Sequence, residues 1–89
     1  MKHAGDAALS ALADLLDEIR RYEGLKEPKR GTFYRQSSGF LHFHEDPAGL
    51  FADLKVDGEY RRFPVNTVPE RRTLLRRIAQ ITRNEGRRR

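Results

Sequence analysis

The sequence predicts a single α+β domain: a four-stranded antiparallel meander sheet with an N-terminal and a C-terminal helix packed on one face. Three observations predict it. Apolar residues recur at spacings of three and four near both ends of the chain, the period falls to two between them, and Asp57-Gly58 separates two alternating runs. The compact domain covers residues 1–86, and the closing "RRR" at 87–89 is expected to be a disordered basic tail.

The first helix follows from Leu9, Leu12, Leu15, Leu16 and Ile19, which fall on one stripe with Asp14, Asp17, Glu18, Arg20 and Arg21 turned outward. Asp6 is the candidate N-cap and Gly24 the candidate stop. "LKEPKRG" is expected to be a linker, because Pro28 removes a backbone donor and biases Glu27 away from helix. From Thr32 the pattern alternates. "TFYRQ" and "FLHFH" flank a turn at "SSG", "EDPAG" is a loop, and "LFADLKV" and "EYRRFPV" flank Asp57-Gly58, a pair suited to a type I′ turn. Pro64 is expected to place the last strand at an edge or to end it early. Thr67 and Glu70 form a capping box for a final helix that buries Leu74, Leu75, Ile78 and Ile81 and ends at Gly86.

A chain of 89 residues without cysteine has a modest core and neither a disulfide nor a thiolate zinc site to reinforce it. Its N-terminal stretch has one lysine and no uninterrupted apolar run, so no signal peptide is expected, and no segment approaches the roughly 20 apolar residues of a membrane span. A soluble cytoplasmic protein is the expectation. Charge is polarised: residues 1–25 carry a net −2, residues 26–68 a net +1, and residues 69–89 a net +6 from eight arginines against Glu70 and Glu85. An arginine-rich end of this kind suits a polyanion.

Strand alternation divides the sheet into two faces. Leu41, Phe43, Leu50, Ala52, Leu54 and Val56 form the side expected beneath the helices. The opposite side collects Phe40, His42, His44, Phe51, Asp53, Tyr60 and Arg62, with Tyr34 joining if register permits. Aromatic and ionisable groups gathered in a patch mark a contact surface.

Four uses of that surface follow from its chemistry. His42 and His44 at i and i+2 on a strand project together, a spacing that lets two imidazoles chelate one divalent ion, with Asp53, Glu45 or Asp46 to offer an oxygen. Arg72, Arg76, Arg77 and Arg83 on the last helix are candidates for neutralising nucleic-acid phosphates while sheet aromatics stack bases. A flat aromatic face is also suited to a homodimer through a two-fold copy of itself. Catalysis would need a base oriented by a partner, and only a histidine with Asp53 qualifies; no nucleophile elbow, P-loop or glycine-rich cofactor fingerprint is present. Neither a cofactor nor enzymatic activity is therefore expected.

The run "GTFYRQSSGFLHFHEDPAGLFADLKVDGEYRRFPV", with the "NTVPERRTLLRRI" that follows it, resembles small uncharacterised bacterial α+β proteins in which a meander carrying F-L-H-F-H lies between two helices. The resemblance implies a compact bacterial domain and no particular activity. The helix–sheet–helix order is also that of frataxin, whose acidic iron-binding ridge has no counterpart in this basic chain. The expectation for function is a small binding or interaction protein that acts through the open sheet face.

Overall fold

A computed structural model describes residues 1–86 and is α+β with an antiparallel sheet. The expected tail at 87–89 lies outside the described residues. In chain order the elements are β1 (Lys2–His3), α1 (Asp6–Ala11), α2 (Ala13–Ile19), β2 (Leu25–Lys29), β3 (Thr32–Arg35), β4 (Ser38–Asp46), β5 (Gly49–Val56), β6 (Glu59–Pro64) and α3 (Val68–Gly86). None of the described helices is long and apolar enough to cross a membrane.

The expected four strands are six. The sheet runs β2-β3-β4-β5-β6, and β1 pairs with β4 off that path. The stretch expected to be a linker is β2, an edge strand antiparallel to β3 with a register shift between Lys26 and Lys29. An edge position is where Pro28 is tolerated, since no second neighbour needs its missing N–H. The single first helix is two segments meeting at Leu12, whose φ of −99° and ψ of 10° leave helical geometry. Gly5, not Asp6, occupies the N-cap, and α2 ends at Ile19, well before Gly24. Arg20, just past that end, is drawn instead to Glu27 on β2 at 2.6 Å and to Asp17 at 2.8 Å.

One core cluster joins Leu9, Leu12, Leu15, Leu16 and Ile19 of the first helical segments, Leu74 and Ile78 of α3, and Phe33, Leu41, Phe43, Ala52, Leu54 and Val56 of the sheet. Its sheet members are the aliphatic face that alternation predicts. Phe40 also belongs to the cluster and is only 2% exposed, contrary to its expected place beside His42. The cause is a bulge. Phe33 pairs with Leu41 and Tyr34 with Gly39, so Phe40 has no opposite number on β3 and the alternation skips a step. Arg35 covers its ring at 5.4 Å while reaching the Ile81 carbonyl of α3.

The capping box forms as expected. The Glu70 carboxylate accepts from the Thr67 N–H at 3.0 Å and from the Asn66 N–H at 2.8 Å, and the Thr67 hydroxyl accepts from the Glu70 N–H at 3.3 Å. Asn66 fastens this junction to the sheet by accepting from the Leu50 N–H and donating to the Leu50 carbonyl.

Candidate metal centre

Cross-strand pairing fixes which side chains share the histidine face. His3 of β1 pairs with His44 of β4, and His44 with Phe51 of β5. In the next row His42 pairs with Asp53, and Asp53 with Arg62 of β6. Paired residues project to the same side, so two rows bring three imidazoles, a carboxylate and a guanidinium together.

The third imidazole was not among the residues singled out from sequence. His3 reaches the site because β3 leaves β4 after Leu41, and β1 takes up the vacated edge at His44 and Glu45. Two bonds hold it there: the Ala4 N–H donates to the Phe43 carbonyl at 3.0 Å, and the Gly5 N–H to the Glu45 carboxylate at 2.6 Å. A two-residue strand carries no periodicity, so the only sequence signal was a histidine near the start of the chain.

The rings are close-packed. His3 stacks on His44 with centroids 4.8 Å apart, His42 meets His44 edge-on at 5.1 Å, and Tyr60 lies against His42 at 4.8 Å. Taking one ring nitrogen from each of His3, His42 and His44, the three atoms lie within 4.8 Å of one another.

Asp53 stands behind these rings. Its side chain is 11% exposed and receives two bonds from Arg62, from Nε and a terminal nitrogen, both at 2.9 Å. The Arg62 guanidinium is the main reason its carboxyl lies below the usual range; burial opposes this, and the nearby imidazoles add to it. An ionised carboxylate only accepts. His44 Nε2, 3.1 Å from Asp53 Oδ2, therefore holds its proton toward that oxygen in preference to the neutral His42 Nδ1, also 3.1 Å away. In a neutral His44 the lone pair then lies on Nδ1, which is buried and has no hydrogen-bond partner among the described residues. Burial is also the first cause that lowers the His42 pKa, with the His44 and His3 imidazoles adding to it and Asp53 opposing, so His42 is neutral at neutral pH.

Of the expected face, His42, His44, Asp53, Tyr60 and Arg62 come together. Phe40 does not, and Phe51 is half-buried in the row of His44. Asp53 takes the place of an orienting group for His44 where sequence spacing suggested a direct ligand. The phenylalanines on which a self-associating face rested are covered in whole or in part; the exposed large apolar residues are Met1, Tyr34, Tyr60 and Val68. Of the four candidate arginines, Arg72, Arg76 and Arg83 are exposed, whereas Arg77 is half-buried with its Nε out of solvent.

Comparison with protein-family models, with curated proteins and with solved structures finds no match for the chain.

Proposed function

We propose that this is a small metal-binding protein whose sheet face holds one divalent transition-metal ion through His3, His42 and His44. The reading takes both helical layers to cover the aliphatic face of the sheet, which the shared core cluster supports, leaving the histidine face for a ligand. The observation that carries it is the convergence of three imidazoles from two strands, with a buried Nδ1 on His44 that has no protein partner.

The donor set selects the metal. Imidazole nitrogen suits zinc, copper and nickel, and an all-nitrogen site offers nothing to magnesium or calcium. Nitrogen ligands at about 2.0–2.1 Å from a tetrahedral ion lie about 3.3 Å from each other. Rotation of the exposed His3 ring and small adjustments of the other two bring the trio to that spacing. The carboxylate–histidine arrangement of Asp53 and His44 fixes the tautomer in the way metal-ligating histidines commonly require. Arg62 in turn keeps Asp53 ionised.

Thermal melts with zinc or nickel test the reading. Free metal at one hundred times its dissociation constant should add about 2.7 kcal/mol of stability, reversed by a chelator. The shift should vanish in His42→Ala and in His3→Ala, the latter an exposed position whose loss leaves the core intact. An unchanged shift in the doubly substituted protein, or no shift in the native one, would sink the proposal.

A further inference from the structure

Two sets of arginines among the described residues differ in their surroundings. One group is built into the fold: Arg20 pairs with Glu27 and Asp17, Arg62 with Asp53, and Arg71 donates to the Val65 carbonyl at 2.8 Å. The other group lies where α2 ends against α3. There the side chains of Arg21, Arg72 and Arg83 are exposed and have no hydrogen-bond or ion-pair partner among the described residues, and that of Arg76 has only the Thr73 hydroxyl of its own helix at 3.3 Å.

These side chains are aligned. Arg72, Arg76 and Arg83 fall within about 40° of one another around the axis of α3, spread over about 16 Å of its length. Ala79 lies on the same line and keeps the middle of the stripe low. Two adjoining shallow grooves of about 260 and 290 Å³ run beside it and share Tyr22 and Ala79. Arg72 and Arg76 line the first, Arg21 and Arg83 the second. Tyr22 is held in the wall by its hydroxyl, which donates to the Leu75 carbonyl at 3.3 Å. Among the described residues Glu23 is the one carboxylate that lines either groove.

We propose that this groove binds the phosphodiester backbone of a single-stranded nucleic acid, at a site separate from the histidine face. Four guanidiniums around a shallow groove match a line of phosphates in charge, and a line of cations along one helix face follows one strand. A lipid surface fits less well, because none of the exposed large apolar residues lines the groove to enter a bilayer. Arg77 is excluded from the set: it is half-buried on the packed side of α3, and Arg21, in the turn that follows α2, takes its place.

The test is fluorescence anisotropy with a labelled 20-nucleotide oligouridine, in chelator so that the histidine site is empty. Four phosphate contacts with a single strand predict an affinity that falls about 50-fold between 50 and 200 mM salt. The triple substitution Arg72→Ala, Arg76→Ala, Arg83→Ala should weaken binding by about 30-fold or more and flatten the salt dependence. Lys26→Ala with Arg61→Ala, which removes two exposed charges elsewhere, should bind as the native protein does. No binding by the native protein at 50 mM salt, or equal losses in the triple variant and the Lys26/Arg61 control, overturns the proposal. So does tighter binding to phosphatidylserine vesicles than to the oligonucleotide. Circular dichroism of the triple variant should match the native spectrum, since all three arginines are exposed.

Discussion

The two halves of the sheet are built differently. From Leu41 onward β4, β5 and β6 pair without a register shift, and Asp57 and Gly58 close the last hairpin with φ values of 53° and 84°. On the other side β2 and β3 slip against each other, β4 carries an extra residue at Phe40, and the β3–β4 turn puts Gln36 and Ser37 at φ values of 55° and 66°. The regular half supplies Asp53 and Arg62 as fixed supports. The irregular half decides what they support: because β3 stops short, the edge of β4 is left for β1, and β1 delivers His3. Bulges and truncated strands recur beside functional sites because they re-aim side chains. Here the bulge also moves an aromatic ring out of the imidazoles' surroundings and into the core.

The strongest way to break that comparison is Phe40→Ala. If the bulge turns Phe40 inward, truncation leaves a cavity in the core and should cost about 3–5 kcal/mol in a urea titration. Phe63 on regular β6 is only half-buried, so Phe63→Ala should cost clearly less. Strict alternation would have Phe40 on the histidine face and predicts the reverse ranking. A cost for Phe40→Ala below that of Phe63→Ala would mean that the bulge does not exist in solution.

A smaller effect tests the support that the regular half provides. Asp53→Ala removes a buried acceptor, strands the His44 N–H, and should cost about 1–3 kcal/mol at pH 7. The cost depends on pH, with a definite sign. Arg62 holds the folded-state pKa of Asp53 below the ordinary 3.8, so the unfolded chain takes up the proton first as pH falls. The stabilisation from ionised Asp53 is therefore complete well above pH 3.8 and is lost as pH drops through the lower folded-state value. Thermal melts at pH 7 and pH 3 should show the variant and the native protein converging on the acid side. A gap that widens in acid would contradict the ion-pair geometry.

The same division explains what could be read from the sequence. The capping box at Thr67 and Glu70, the Asp57-Gly58 turn and the aliphatic face from Leu50 to Val56 are local signals, carried by neighbouring residues, and all appear in the structure. β2 was hidden because Lys26, Glu27, Pro28 and Lys29 have the composition of a linker; only pairing with β3 along one edge makes them a strand. The bulge at Phe40 was hidden because alternation carries no mark of where a residue is skipped. His3 lies 39 residues before His42 in the chain, and its contribution depends on where β3 ends, which is a property of the whole sheet. The His42/His44 pair was legible because both members lie on one strand.

The smallest effect separates the two hairpin turns themselves. Both place two successive residues at positive φ, but only the β5–β6 turn uses a glycine, and a Cβ built on Gly58 meets nothing within 4 Å. Gly58→Ala therefore introduces backbone strain without a clash; the left-handed conformation costs about 1–2 kcal/mol, of which the reduced freedom of the unfolded chain offsets about 0.4–1 kcal/mol. Ser37 already bears that strain, so Ser37→Gly should relieve it. The relief is opposed by the added freedom of glycine in the unfolded chain, worth about 0.4–1 kcal/mol, which leaves a net gain of about 0.5 kcal/mol. Opposite signs for the two substitutions in denaturant titrations are the expected result. If Ser37→Gly destabilises instead, the β3–β4 turn does not adopt positive φ at Ser37 in solution. The register that brings Phe33 opposite Leu41, and with it the edge that β1 occupies, would then have to shift.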